Sequence, residues 1–117
     1  MGLSMIESVT QAALTSALTG LSTRQRVIAD NIANINTPNY QAKRVTFEDA
    51  LAQSVAQGSG AVTPDVLPSL EPTQTNGNNV NLDEETLNNI ETGLRYQFAT
   101  QAMNQQFQSL TAALKTA

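Results

Sequence analysis

The side chains that most often perform catalysis or bind metals are absent from this chain or stand alone in it. Its 117 residues include no histidine and no cysteine, which excludes disulfides, thiol nucleophiles, histidine bases and nearly every transition-metal site. Two carboxylate pairs remain, Glu48 with Asp49 and Glu84 with Glu85. Because adjacent residues diverge on a helix and neither pair has a second catalytic group beside it, we interpret both as helix-end or solvated charges. We predict no enzymatic activity, no cofactor and no metal.

The charge and hydropathy of the chain exclude further classes of partner. The net charge is −4, and Lys43 with Arg44 is the only basic pair, so no basic stripe is available to bind nucleic acid. No apolar run approaches the roughly 20 residues of a membrane-spanning helix. The first residues, MGLSMIESVTQ, contain neither a basic nor a continuously apolar region, so we expect no cleaved signal peptide. No residue pattern indicates a small-molecule substrate.

Two long stretches without charge, one near each end, are the most informative feature of the chain. They lie between Glu7 and Arg24 and between Arg95 and Lys115, and both combine helical periodicity with outward-facing Gln, Asn, Ser and Thr. A helix face exposed to water usually carries charge, whereas an unpaired charge buried against protein costs several kcal/mol. We therefore expect both ends of the chain to be covered by other protein surfaces.

The first of these stretches predicts an amphipathic helix over residues 4–35. Only Gly20 argues against its continuity, at a cost of about 1 kcal/mol relative to alanine. Pro38 ends the helix, and residues 36–40 around it form a tight turn in which Asn39 takes the position that favours positive φ. The residues of this helix that we expect to pack on the second long helix of the same chain are Leu14, Leu18, Leu21, Ile28 and Ile32.

Residues 41–81 have weak periodicity and contain three of the four prolines, which predicts an irregular, partly extended or mobile segment. Two alternatives remain open for its beginning. Residues 47–56 form a short helix capped by Thr46, or the chain pairs as a strand around Val45 and Phe47.

A second long helix is predicted over residues 83–114. Its first turn is capped by Asn81 together with Glu84, or by Asp83 with Leu82 as a hydrophobic staple. A helix of about 32 residues is about 48 Å long, which exceeds the roughly 35 Å diameter of a compact chain of this size. The molecule is therefore expected to be a rod.

The apolar residues of this second helix form two stripes on roughly opposite faces, and a single partner helix cannot cover both. Either a bend or the middle segment covers the second stripe, or the first helix covers one stripe and neighbouring subunits cover the other. We favour the latter. The stripe expected to pack on the first helix consists of Leu87, Ile90 and Leu94, with Phe98 beside them. The stripe expected to face other subunits consists of Tyr96, Met103, Phe107, Leu110 and Leu114.

These features predict an all-α, elongated single domain over residues 1–117, with two long terminal helices packed as a coiled-coil-like hairpin. A two-helix rod of this length has too few large apolar side chains to be stable alone, so we expect folding to need neighbouring subunits. A monomeric helical-hairpin adaptor or secreted effector, acting as a binding module, is the alternative. It predicts a stable monomer, whereas an assembling subunit gains helicity as its concentration rises.

The junction after the first helix resembles a known family signature. The segment NIANINTPNY is similar to the N-terminal signature of the bacterial flagellar axial proteins, NIAN followed after a short gap by TPGY. Asparagine stands here in place of the glycine, and it is the next best residue for a left-handed turn. The matching residues are Asn31, Ile32, Ala33, Asn34, Thr37, Pro38, Asn39 and Tyr40.

A second segment, from Asn76 to Gln97, resembles the basal-body rod proteins within that superfamily, and most of all the proximal rod members. This resemblance implies a structural subunit of the proximal rod, located in the flagellar basal body within the cell envelope. It implies synthesis in the cytoplasm, export by the flagellar type III pathway and assembly through the terminal helices into the drive shaft. The implied partners, reached by self-association or hetero-assembly, are other rod subunits, the rod-base adaptor, the membrane ring and the export gate.

Overall fold

The computed structural model describes residues 2–116 and shows two long antiparallel helices that lie side by side along a rod. Along the chain the elements are α1 (Gly2–Ala33), β1 (Lys43–Thr46), α2 (Glu48–Ala56), β2 (Asp65–Pro68) and α3 (Leu82–Thr116). The molecule measures 65 × 24 × 15 Å, and its radius of gyration of 17.9 Å exceeds the roughly 13 Å of a compact domain of this size. The elongated, mostly helical fold is confirmed, with a small β-hairpin added in the middle.

The chain after α1 turns as the sequence predicts. Asn34 donates its N–H to carbonyls one turn back in α1, and the helix ends at Ala33, slightly before the predicted end. The N–H of Tyr40 donates to the carbonyl of Thr37 over 3.3 Å, and Asn39 has a φ of 63°, in the left-handed region. The tight turn and the positive φ of Asn39 are therefore confirmed.

The middle segment is more regular than predicted. β1 and β2 form an antiparallel pair that places Val45 opposite Val66, and α2 lies between them in sequence. Both alternatives for this region are thus correct in part, because a strand is followed by a helix. The cap of α2 is Phe47 rather than Thr46, and no side chain bonds to the helix end. Order arises here because Val45 and Phe47, two residues apart, are both buried.

The hydrophobic core lies near the middle of both long helices, where the hairpin packs on them. Its buried residues are Leu21 of α1, Val45, Phe47 and Ala99 of α3. Partly buried residues surround it, namely Ala17, Leu18, Val27, Leu51 and Val62. The core is small, and it connects α1, the β-hairpin, α2 and α3 at one point along the rod.

Phe47 explains the glycine within α1. A Cβ atom at position 20 would lie 2.5–2.7 Å from three carbons of the Phe47 ring. Such a distance is well inside normal carbon–carbon contact. Gly20, which weakens the isolated helix, therefore allows the ring to lie directly against the α1 backbone.

Asn81 caps α3, rather than Asp83. The N–H of Glu84 donates to Oδ1 of Asn81 over 3.3 Å, and the N–H of Glu85 donates to the Asn81 carbonyl over 2.9 Å. The acidic residues in this first turn interact favourably with the positive end of the helix dipole. Among the described helices, none combines the length and apolar character that crossing a membrane requires.

Candidate functional site and assembly surfaces

Asn31 is fully buried at the end of α1 and connects three parts of the chain. Its Nδ2 donates to the Lys43 carbonyl over 2.8 Å and to Oε1 of Glu85 in α3 over 3.0 Å. Its Oδ1 accepts from the Tyr40 hydroxyl at 3.2 Å and from the Lys43 N–H at 3.1 Å. The amide thereby uses both of its donors and both of its acceptor sites. It ties α1 to β1 and to the first turn of α3.

Two further asparagines, just before α3, make matching contacts. Nδ2 of Asn78 donates to the carbonyls of Asn34 and Thr37, over 2.8 Å in each case. Oδ1 of Asn79 accepts from the N–H of Ala42 over 2.6 Å. Both side chains are buried. The two segments that resemble family signatures therefore interlock, and we call the contacts of Asn31, Asn78 and Asn79 the asparagine junction.

A contact between two turns closes the asparagine junction. The N–H of Asn39 donates to the Asn76 carbonyl, and the N–H of Gly77 donates to the Gln74 carbonyl, each over 2.9 Å. Gly77 has a φ of 81°, and a Cβ atom there would collide with the Asn39 side chain. Glycine is required at this position both for its backbone angle and for the space it leaves.

The junction also changes the acidity of two groups. Burial, followed by the charges of Asp30 and Glu85, raises the pKa of Tyr40, so its hydroxyl remains protonated and donates to Asn31. Burial raises the pKa of Glu85 as well, which is only 9% exposed. The hydrogen bond from Asn31 opposes that shift, while two neighbouring carboxylates add to it. The ionised form of Glu85 is thus less favourable in the folded chain than it is in water.

Arg24 attaches the β-hairpin and α2 to α1. Its guanidinium donates to the Val45 carbonyl over 2.7 Å and to Glu48 over 2.9 Å, and it lies 5.0 Å from the centre of the Phe47 ring. Glu48 also lies 3.7 Å from Arg95 of α3. Burial alone would raise the pKa of Glu48, but the hydrogen bond and charge of Arg24 lower it overall. The ionised Glu48 side chain therefore links α2, in which it lies, to α1 through Arg24 and to α3 through Arg95.

An open groove of about 520 Å³ runs beside this contact, between β1 and α3. Among residues 2–116, no three carboxylates are grouped so that they could hold a metal ion. The groove contains charges of both signs, which suits ion pairing. Its charged residues are Arg24, Lys43, Arg44, Arg95, Glu48, Glu71, Glu84, Glu85 and Glu91.

The α1 residues assigned to packing within the chain all lie on its covered side. Leu21 and Ile28 are buried, and Leu14, Leu18 and Ile32 are half-buried. The family-like turn is more mixed. Its buried member is Asn31, while the side chains that are exposed or half-buried are Ile32, Ala33, Asn34, Thr37, Pro38, Asn39 and Tyr40.

Leu87, Ile90 and Leu94 do not pack on α1, contrary to the prediction. Their exposed fractions are 59%, 58% and 53%, and Phe98 is 70% exposed. We call these four residues the outer stripe. Assigning them to contact between the two helices of one chain is wrong, because they lie on the face of α3 that points away from α1.

The rotation of α3 about its axis has a clear physical cause. The side of α3 that faces the rest of the chain is marked by Glu85, Thr92 and Ala99, which recur every seven residues and are all buried. Glu85 is held by Asn31, and the small Thr92 and Ala99 allow close approach. These contacts turn the outer stripe away from α1.

The second predicted stripe, which we expect from the sequence to face other subunits, instead lies on the side of α3 that faces α1, since buried Ala99 falls between its members. Phe107 and Leu110 line a small cavity together with Glu7 and Gln11 of α1. Coverage is thin near the end of the rod, where Phe107 is still 53% exposed and Leu110 45%. We call this set the inner stripe: Tyr96, Met103, Phe107, Leu110 and Leu114.

Sequence reasoning missed the partners within the asparagine junction. It assigned Asn78 and Asn79 to a mobile loop and treated Glu85 as a solvated charge, yet all three are buried. It also did not pair Arg24 with Glu48. The available signal for the two asparagines was their place between Gly77 and Val80. The segment Gly77-Asn78-Asn79-Val80 matches a family pattern, although its composition is typical of a loop.

The comparisons with known proteins agree with one another. The sequence pattern of the family described as Flagella basal body rod protein matches residues 13–41, which cover much of α1 and the turn after it. The Flagellar basal body rod protein FlgB of Bacillus subtilis is 34% identical over 115 residues, covering 86% of this chain and 89% of that protein. The protein of the same name from Borrelia hermsii is 32% identical, covering 81% of this chain and 87% of that protein.

A shorter match involves a longer protein. The Flagellar basal-body rod protein FlgG of Bacillus subtilis is 44% identical over 46 residues, which is 39% of this chain and 17% of that protein. The similarity to the two FlgB proteins extends over most of this chain and most of each FlgB protein, whereas the similarity to FlgG is local.

Proposed function

The chain belongs to the flagellar basal body rod protein family, and on that premise we propose that it builds the proximal part of the rod through its two terminal helices. It is a structural subunit of the basal body. In the proposed role it transmits torque as a passive part of the shaft and catalyses no reaction. Each subunit presents its outer stripe, and the thinly covered end of its inner stripe, to neighbouring subunits.

The outer stripe is the observation that carries this proposal. Single exposed apolar residues are common, but Leu87, Ile90, Leu94 and Phe98 form one continuous row, and each is more than half exposed. At about 2 kcal/mol for each large side chain fully buried, covering the exposed part of this row would contribute roughly 5 kcal/mol. That is comparable to the whole stability of a small domain, roughly 5–15 kcal/mol. We propose that a helix of a neighbouring rod subunit covers it.

The far end of the rod, formed by the start of α1 and the end of α3, is also incompletely covered. α3 carries no charge between Arg95 and Lys115, so a neighbouring subunit can cover this part of α3 without burying an unpaired charge of that helix. The apolar side chains that are at least 45% exposed there are Met5, Ile6, Phe107, Leu110 and Leu114.

The asparagine junction and Arg24 have a different proposed role, which is to fix the geometry within each subunit. Together they join α1, the β-hairpin and α3 through buried or half-buried polar contacts. They set the rotation of α3 and therefore the direction in which the outer stripe points. A subunit in which the contacts of the asparagine junction break would present its outer stripe in the wrong direction, even if α1 and α3 remained helical.

The remaining parts of the proposal concern delivery and partners, and family membership supports them. We propose that the chain is made in the cytoplasm and exported by the flagellar type III pathway. Its proposed partners are other rod subunits, the adaptor at the rod base, the membrane ring and the export gate.

Replacing Ile90 and Leu94 together by serine tests the outer stripe. In a strain that lacks the natural gene, we expect the double variant to be produced and exported but not to support rod assembly or swimming. Leu70→Ser is the matched control, because Leu70 is 85% exposed and lies outside both stripes. Normal swimming of the double variant, or loss of swimming with Leu70→Ser alone, would refute the assignment.

A second pair of substitutions tests the end of the inner stripe. Phe107→Ser combined with Leu110→Ser should also prevent rod assembly, since these side chains are only partly covered within the chain. If cells that carry this variant still swim, the inner stripe does not contribute to the interface. Circular dichroism of the purified chain against concentration separates the rod subunit from a monomeric adaptor, because only the rod subunit should gain helicity as concentration rises.

A further inference from the structure

One peptide bond in the asparagine junction has chemistry of its own. Asn76 is the only asparagine in the chain that is followed by glycine. In such a pair the main-chain nitrogen of the glycine can reach the side-chain amide carbon of the asparagine, because no side chain on the second residue hinders its approach. The Asn76 side chain is exposed, so water has access to it.

We propose that the Asn76–Gly77 bond is a site of spontaneous deamidation, which the folded asparagine junction suppresses. In this reaction the Gly77 nitrogen forms a bond to Cγ of Asn76 while the Cγ–Nδ2 bond breaks. Ammonia leaves with the proton that the Gly77 nitrogen loses, and a succinimide ring remains. Water then adds to one of the two ring carbonyls and opens the ring, which leaves aspartate or isoaspartate at position 76. The reaction needs no redox partner and no enzyme.

The structure holds this peptide unit in place at both ends. The Asn76 carbonyl accepts from the N–H of Asn39, and the Gly77 N–H donates to the Gln74 carbonyl, each over 2.9 Å. In addition, Oδ1 of Asn76 accepts from the N–H of Asn78 over 3.1 Å. Ring closure requires the peptide unit to rotate and the Gly77 nitrogen to lose its proton. Rotation breaks the contacts to both Asn39 and Gln74, and loss of the proton requires the Gly77 N–H to leave the Gln74 carbonyl.

Modification would damage the junction permanently. In isoaspartate the main chain runs through Cβ and Cγ and is one carbon atom longer before the buried Asn78, and the former Asn76 carbonyl, which accepts from Asn39, becomes a carboxylate outside the main chain. The segment then cannot keep both contacts in register. Chains that remain unfolded would accumulate this change and lose the ability to form the junction, whereas folded chains would be protected.

The test follows deamidation of the full chain by peptide mass spectrometry, in native buffer and in urea at the same pH and temperature, at a chain concentration where helicity in native buffer has stopped rising. The readout is the small mass gain at Asn76 when –NH₂ is replaced by –OH. We expect the reaction in native buffer to be at least about tenfold slower than in urea. A factor of ten is what the net free energy of one protein hydrogen bond, about 1.4 kcal/mol, corresponds to. In urea, Gly77→Ala should nearly abolish it, which assigns the reaction to this bond.

A variant of the junction tests whether the protection is local. Asn78→Ala removes the side-chain bonds to the turn after α1 and should raise the rate in native buffer towards the rate in urea. Asn104→Ala, at an exposed position on α3, is the matched control and should leave the rate unchanged. Equal rates for the unaltered chain in the two buffers, an unchanged rate for Asn78→Ala, or faster reaction at another asparagine would overturn the proposal. If Asn78→Ala unfolds the chain, the comparison of the unaltered chain in the two buffers decides.

Discussion

Two glycines within the long helices should respond in opposite ways to the same substitution. Gly20→Ala and Gly93→Ala each remove a residue that weakens an isolated helix by about 1 kcal/mol. At position 93 a Cβ atom meets no other atom within 4 Å, so we expect the full gain of about 1 kcal/mol. At position 20 a Cβ atom would lie 2.5–2.7 Å from the ring of Phe47.

The cost at position 20 follows from how tightly the ring is held. Phe47 is only 4% exposed and lies against Leu21, Val45 and the guanidinium of Arg24, so it cannot move by the required ångström without disturbing them. Overpacking of this kind typically costs about 1–3 kcal/mol. After the helix gain is subtracted, we expect Gly20→Ala to destabilise the chain by about 1 kcal/mol. The two variants should therefore differ by about 2 kcal/mol.

Urea unfolding followed by circular dichroism measures this difference, at a chain concentration where helicity has stopped rising. With a urea dependence of about 1.5 kcal/mol per molar, the midpoints of the two variants should be separated by about 1 M, on opposite sides of the unaltered chain. If both substitutions stabilise the chain equally, the contact between Phe47 and the α1 backbone, and with it the described core, is refuted.

Three further predictions concern the polar contacts. Asn31→Ala should lower the free energy of unfolding by about 3 kcal/mol in urea titrations, because it leaves several buried groups without partners; a loss under about 1 kcal/mol would contradict this role. Glu85→Gln should stabilise the chain at neutral pH. The native pKa of Glu85 is raised, so the native state binds more protons between the unfolded and native values, and stability falls as pH rises through that window. The gain from Glu85→Gln should thus shrink as pH falls through that window and be lost below the ordinary value of about 4.5, and urea midpoints that show no such pH dependence would exclude the effect. Asn81→Ala should cost about 1 kcal/mol in the same titrations and Asp83→Ala much less, and the reverse order would show that Asp83 is the cap.

The two terminal helices and the turn could be predicted because their determinants are local. Apolar periodicity defines α1, and Pro38 with Asn39 defines the turn within a few residues of sequence. The cap of α3 at Asn81 is also a local signal, although the sequence left an alternative open. Each of these features depends on residues that are neighbours along the chain.

The rotation of α3 could not be predicted from the sequence, because both of its faces are apolar. The choice is made by a contact between Asn31 and Glu85, which are 54 residues apart, and by the small buried Thr92 and Ala99. The apolar pattern alone led us to assign Leu87, Ile90 and Leu94 to the packed face. The smaller side chains were in fact the ones covered, since they let the helices approach closely.

The order of the middle segment was hidden for a related reason. Asparagine and glycine are typical of mobile loops, and whether an amide is buried depends on distant main-chain groups. Asn78 and Asn79 find those groups in the turn after α1 and in the residue before β1. A pattern confined to residues 76–81 contains no information about these partners.

The most direct test asks whether the outer stripe is covered in the assembled rod. The chain has no cysteine, so Leu94→Cys places a single thiol in the stripe, at a position that is 53% exposed in the isolated subunit. Labelling with a maleimide is compared between free subunits and isolated basal bodies, with Leu70→Cys as the exposed control. We expect both thiols to react in free subunits, and the thiol at position 94 alone to become protected in basal bodies. Equal labelling at position 94 in both states would contradict the proposed interface.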